Sequence, residues 1–144
     1  MRLVIDASVA LKWFVAEEGT EAAEAVAARH ELTAPELVVA EVCNGLWKIE
    51  RLGRLPPEDA AEAVASVAGY FDRLFMITPL APRAAAIARE LGHPVYDCFY
   101  LALAEAQDVP LVTADRRLAG RVAGTPFAAR LRHLADVADL IGEA

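Results

Sequence analysis

Two short apolar runs, each leading into an aspartate, constrain this chain more than anything else in it. Leu3-Val4-Ile5 runs into Asp6, and Leu111-Val112-Thr113 runs, after Ala114, into Asp115. A short apolar run without polar alternation fits a strand covered on both faces, as in a parallel sheet clothed by helices. Elsewhere helical spacing prevails. Residues 8–16 suit a short helix, and Thr20 to Arg29 an alanine-rich acidic one. Leu32 to Pro35 is a brief strand or turn. Val38, Val42, Leu46 and Ile49 line one side of a helix opened by Pro35 and stopped at Gly53. A helix from Pro56-Pro57 to about Leu74 is expected to turn Ala60, Val64, Val67 and Phe71 inward, before a strand over Phe75–Thr78. Pro82 to Leu91 is helical and ends at Gly92, Asp97 opens an apolar helix from Cys98 to Ala106, and another short helix runs from Asp115 to about Val122. Beyond residue 123 the pattern predicts an edge strand near Phe127 or Leu134 and a terminal helix. Strands alternating with helices predict an α/β fold, a mostly parallel central sheet flanked by helices on both faces, in one domain over residues 1–144.

Charge narrows the function classes. A net charge of −7 speaks against binding nucleic acid through a general basic surface, so any such role rests on local cations or bound metal. Cys43 and Cys98 show no paired metal-ligand spacing and read as buried, reduced thiols. Asp6 and Lys12 interrupt the apolar start of the chain, which argues against a signal peptide, and no run approaches the roughly 18 apolar residues of a membrane span. A cytoplasmic protein with no membrane partner is the expectation.

Most of the 21 acidic residues sit in polar stretches such as Glu17-Glu18 and Glu58-Asp59. Four do not, and there a carboxylate is costly unless something compensates it. Asp6 and Asp115 close strands, Asp97 heads an apolar helix, and Glu41 follows Leu37 and Val38 at helical spacing on the apolar side. Each aspartate alone is also an ordinary helix cap, and Glu41 also a surface residue. Jointly they say more. In an open parallel sheet the carboxyl ends of strands and the starts of the following helices converge on one edge, so all four can gather there. Packed carboxylates repel, a divalent cation relieves the repulsion, and oxygen-only ligation favours Mg2+ or Mn2+ over zinc. Ser8 and Thr113, each two residues from an acid, offer hydroxyls to such a site, with local turn chemistry as the alternative.

Val4-Ile5-Asp6-Ala7-Ser8, Glu41-Val42-Cys43-Asn44, Tyr96-Asp97-Cys98-Phe99-Tyr100-Leu101-Ala102-Leu103-Ala104 and Val112-Thr113-Ala114-Asp115 together resemble a PIN domain, in particular the VapC toxins of toxin–antitoxin pairs. Residues 56–93 and the tail beyond 123 carry no such signature. The resemblance implies a metal-dependent endoribonuclease acting on single-stranded RNA, with Asp6, Glu41, Asp97 and Asp115 as catalytic, metal-binding acids. Glu41 either ligates a second ion or orients the attacking water. Ser8, Asn44 and Thr113 match supporting polar positions. The resemblance further implies a small antitoxin as partner, for which Trp13, Phe14 and Trp47 are candidate contacts or else core, and it admits a homodimer. Lys12, Arg116, Arg117 and Arg121 lie in sequence beside the acids and are candidates for holding the RNA backbone, or else solvated surface charges. A housekeeping RNA-processing nuclease of the same fold and a non-catalytic binding module are the rival readings. A receiver domain is disfavoured because no lysine follows Lys48, and a phosphatase because Ser8 stands where a second aspartate is wanted.

Overall fold

In the computed structural model, which describes residues 1–142, the two apolar runs become neighbouring strands. The sheet has the order β3-β2-β1-β4-β5, with β1 Arg2–Ile5, β2 Glu31–Pro35, β3 Arg73–Phe75, β4 Leu111–Thr113 and β5 Leu131–His133. Every pairing is parallel, with Val4 opposite Leu111 and Ile5 opposite Val112. Successive side chains of a strand point to opposite faces, and Leu3, Val4 and Ile5 are all fully buried, so helices cover both faces of the centre. The order reverses direction between β1 and β4, the kind of switch point at which open α/β sheets hold their ligands. Asp6 and Asp115 follow those two strands.

The helices are α1 Ala7–Ala10, α2 Thr20–Arg29, α3 Leu37–Arg51, α4 Pro57–Ser66, α5 Ala81–Leu91, α6 Val95–Gln107, α7 Arg116–Val122 and α8 Ala138–Ile141. The expected single helix over residues 8–16 is instead α1 followed by a 3-10 turn over Leu11–Trp13. Pro35 does not open a helix; it ends β2, and α3 starts two residues later. The helix expected to reach Leu74 stops at Ser66, because a 3-10 turn over Val67–Tyr70 leads the chain into the sheet. There Asp72 bonds twice to Leu32, carboxylate to amide at 2.7 Å and amide to carbonyl at 2.8 Å, and aligns β3 on β2. The strand therefore falls at Arg73–Phe75 and not at Phe75–Thr78, and Val64 is exposed. Asp97 does not open α6 but is its third residue, after Pro94 at the cap. In the tail, β5 lies between the two places expected for an edge strand, and α8 is the terminal helix.

Trp13 and Phe14 pack inward. Trp13 stacks on Tyr70 with ring centroids 4.8 Å apart and donates Nε1–H to the Ala23 carbonyl at 3.0 Å, while Trp47 stays half exposed. Among the described residues no helix is long and apolar enough to cross a membrane.

Candidate active site

Asp6 is 4% exposed at the end of β1, and although it precedes α1 its side chain caps no backbone amide. Its Oδ2 instead accepts hydrogen bonds from Ser8 Oγ at 2.5 Å and Thr113 Oγ1 at 2.8 Å. Both hydroxyl oxygens are themselves acceptors, Ser8 Oγ for Ala114 N–H at 2.9 Å and Thr113 Oγ1 for Asp115 N–H at 3.0 Å. Local turn chemistry and support of the acid are thus one network, and it ties the ends of β1 and β4 together. Burial pushes the Asp6 carboxyl up to about 6 even though both hydroxyls stabilise its charge, and the negative charges of Asp97 and Asp115 push the same way.

Asp115 does cap a helix. Its Oδ1 accepts from Arg117 N–H at 2.8 Å and Leu118 N–H at 3.3 Å, which fixes the carboxylate at the start of α7. Asp97, in the first turn of α6, shares a 2.6 Å hydrogen bond between Oδ2 and Nε2 of the buried His93. Glu41 is the fifth residue of α3, just past its first turn. Its Oε1 accepts from the Tyr100 hydroxyl at 2.8 Å, and Tyr100 is fully buried. Gly45, one turn on from Glu41, supplies the close approach that docks α3 on the segment after Asp6: a Cβ there would meet Leu11 Cδ1 at 2.6 Å. Burial raises Glu41 to about 7, the Tyr100 bond opposes this, and the charges of Asp6 and Asp97 add to it. Glu41 therefore feels Asp6 and Asp97, and Asp6 feels Asp97 and Asp115, so the four carboxylates form one electrostatic cluster drawn from four parts of the chain.

All four acids share one arrangement. One oxygen is held by the protein, Oδ2 in Asp6 and Asp97, Oε1 in Glu41, Oδ1 in Asp115, while the other takes no hydrogen bond from the described residues. Four oriented carboxylates with unused oxygens and an excess of negative charge fit a hard divalent cation, whose charge would bring Asp6 and Glu41 to their ionised forms. Among the described residues, however, no three His, Cys, Asp or Glu side chains stand close enough together to hold a metal ion as they are arranged here.

The other sequence candidates divide. Ser8 and Thr113 are in the network; Asn44 is exposed and makes no side-chain hydrogen bond among the described residues. Lys12 is held by its own loop, through Glu17 Oε1 at 3.1 Å and the Glu18 carbonyl at 2.6 Å. Arg116, Arg117 and Arg121 are exposed on α7 and form no salt bridge with the described residues. Sequence reasoning missed Tyr100 and His93 as partners of the acids. For His93 a signal was present, since it lies four residues before Asp97, a spacing at which two side chains meet across the start of a helix.

Comparison with known proteins adds a family. The PIN domain profile matches residues 3–124. Ribonuclease VapC3 of Pyrobaculum aerophilum is 38% identical over 122 residues, which is 83% of this chain and 93% of that protein. Ribonuclease VapC9 of Mycobacterium tuberculosis is 34% identical over 116 residues, 81% of this chain and 87% of its own. A crystal structure from P. aerophilum superposes with a TM-score of 0.73 at 24% identity, covering 100% of this chain and 91% of the other. A toxin–antitoxin complex from Klebsiella pneumoniae gives a TM-score of 0.60 at 17% identity, covering 92% and 97%. At those identities the two structures speak for the fold alone.

Proposed function

The chain belongs to the PIN domain family, and from that premise we propose that it is a metal-dependent endoribonuclease and the toxin of a toxin–antitoxin pair. One observation carries the reading: four carboxylates from four elements lie within one field, each with one oxygen fixed and the other unused. The names of the ribonuclease relatives support RNA as the substrate class. That a neighbour in fold is a toxin–antitoxin complex is in keeping with an antitoxin partner.

Mg2+ or Mn2+ held by Asp6, Asp97 and Asp115, with Glu41 beside them, would polarise a phosphate oxygen and lower the pKa of a bound water for hydrolysis of the phosphodiester. The chain's own share is orientation and proton management. Ser8 and Thr113 hold Asp6 Oδ2, so the carboxylate cannot rotate away from the edge of the sheet. His93 does the same for Asp97, and the α7 amides for Asp115. Glu41, ionised once the cation is bound, would accept a proton from an attacking water through the oxygen that Tyr100 leaves unused. Exposed Arg116, Arg117 and Arg121 would meet backbone phosphates on the side of α7. Incubating antitoxin-free protein with a total cellular RNA pool tests the proposal: discrete fragments with Mn2+ and none with EDTA are expected, and intact RNA under both conditions would contradict it.

A further inference from the structure

A cleft of about 370 Å³ is lined by both chain neighbours of Asp115, though by none of the four acids themselves. It starts at Ala114, the residue between Thr113 of the Asp6 network and Asp115. Its aliphatic lining comes from Ala22, Leu134, Val137 and Ile141, and its polar lining from Lys12, Glu18, Arg116 and His133. We propose that this cleft is a subsite for one nucleotide of the RNA, next to the bond that is cut, and that it sets a base preference; this rests on the ribonuclease reading.

Volume, lining and placement all fit that occupant. The cleft lies in the size range of sites for single small ligands, and it combines an apolar body with a few polar groups, as a base and its phosphate require. Ala114 and Arg116 flank Asp115, so the backbone of an RNA with one nucleotide seated here would run on towards Asp115. Lys12 is already bound to Glu17 and Glu18, which leaves Arg116, free of salt bridges among the described residues, as the cation for phosphate. His133 supplies a second sign. Its Nδ1 accepts from the Ala135 amide at 3.1 Å, so the ring proton of the neutral form is on Nε2. That Nε2 is screened from water and has no partner among the described residues. A buried N–H left unpaired is costly, so little holds the ring in this pose, and a rotation that gives up the Ala135 amide would present Nε2 to a base-edge acceptor in the cleft.

The test reads the cleft without depending on cutting. Each common ribonucleoside 5′-monophosphate is titrated into the full chain in EDTA while the His133 ring resonances are followed by NMR. At least one nucleotide should shift them to saturation. Ala138→Phe, which fills the cleft from an exposed position in its wall, should raise that dissociation constant by about tenfold or more. Arg116→Ala should weaken the monophosphate and leave the corresponding nucleoside unchanged. No saturable shift with any nucleotide, or shifts that persist unchanged in both variants, would overturn the subsite. Cutting of RNA without these shifts removes the subsite alone; shifts at His133 without cutting remove the ribonuclease reading and leave a nucleotide site.

Discussion

The Tyr100 hydroxyl donates a 2.8 Å hydrogen bond to Glu41 Oε1, which joins α6 to α3 through a side chain buried completely in the core. The bond favours the charged carboxylate, so Tyr100→Phe should move the Glu41 titration upward while keeping the packing of the ring. The acid limb of the cleavage pH profile should shift to higher pH, and denaturant unfolding should show a loss of about 1–3 kcal/mol. An unmoved pH profile would remove Glu41 from the proton chemistry.

Asp6 and Glu41 make the metal-free protein sensitive to pH. Both carboxyls are raised above their ordinary values, to about 6 and about 7, so between roughly pH 4 and 7 the folded chain binds more protons than the unfolded one. Their contribution to stability is therefore intact at low pH and is lost as pH rises through that window. For the buried Asp6 a shift of this size is worth up to about 3 kcal/mol. Thermal unfolding in EDTA should show Asp6→Asn gaining stability over the wild type at pH 8 but not at pH 4, and Mn2+ should stabilise the wild type more at pH 8 than at pH 5. Equal stabilisation by Mn2+ at the two pH values would show that these acids do not take up the ion.

Asp115 serves two purposes that substitution can separate. Asparagine keeps an oxygen for the α7 amides, whereas alanine removes the cap. Asp115→Asn should stay within about 0.5 kcal/mol of the wild type yet lose cutting, and Asp115→Ala should lose about 1 kcal/mol as well. Full cutting by the asparagine variant would reduce Asp115 to a cap.

His93 orients Asp97 as partners of metal-ligating groups do elsewhere. His93→Ala should weaken Mn2+ binding by about 10–100-fold while leaving the other acids in place, measured by titration calorimetry. Unchanged affinity would make the contact purely structural.

Arg116→Ala combined with Arg117→Ala should weaken RNA binding and lower the slope of affinity against salt by about 1 to 2. Identical slopes would clear α7 of backbone contacts.

How much of this was legible depends on the distance over which each signal acts. The runs ending at Asp6 and near Asp115 carried the sheet, because three consecutive uncharged, mostly aliphatic residues admit few burial patterns. The edge of the sheet was misread because nothing local tells that Asp72 will pair with Leu32, 40 residues away, and so pull β3 forward. At the site, the four acids and two hydroxyls were visible from their apolar settings. Tyr100 was not, since an aromatic within an apolar helix reads as core until the position of Glu41 is known. The weakness of Asn44 and the loop pairing of Lys12 were likewise hidden, being set by which helix faces meet and which acids lie in reach.

The central claim is that these acids hold the ion that cuts RNA. It is tested most directly by titrating Mn2+ into the protein while occupancy and cleavage of single-stranded RNA are measured on the same samples, beside Asp97→Asn. Cutting should rise with occupancy along one curve in the wild type, and the folded variant should lose both. Cutting that proceeds before the ion binds, or that survives undiminished in Asp97→Asn, would contradict it.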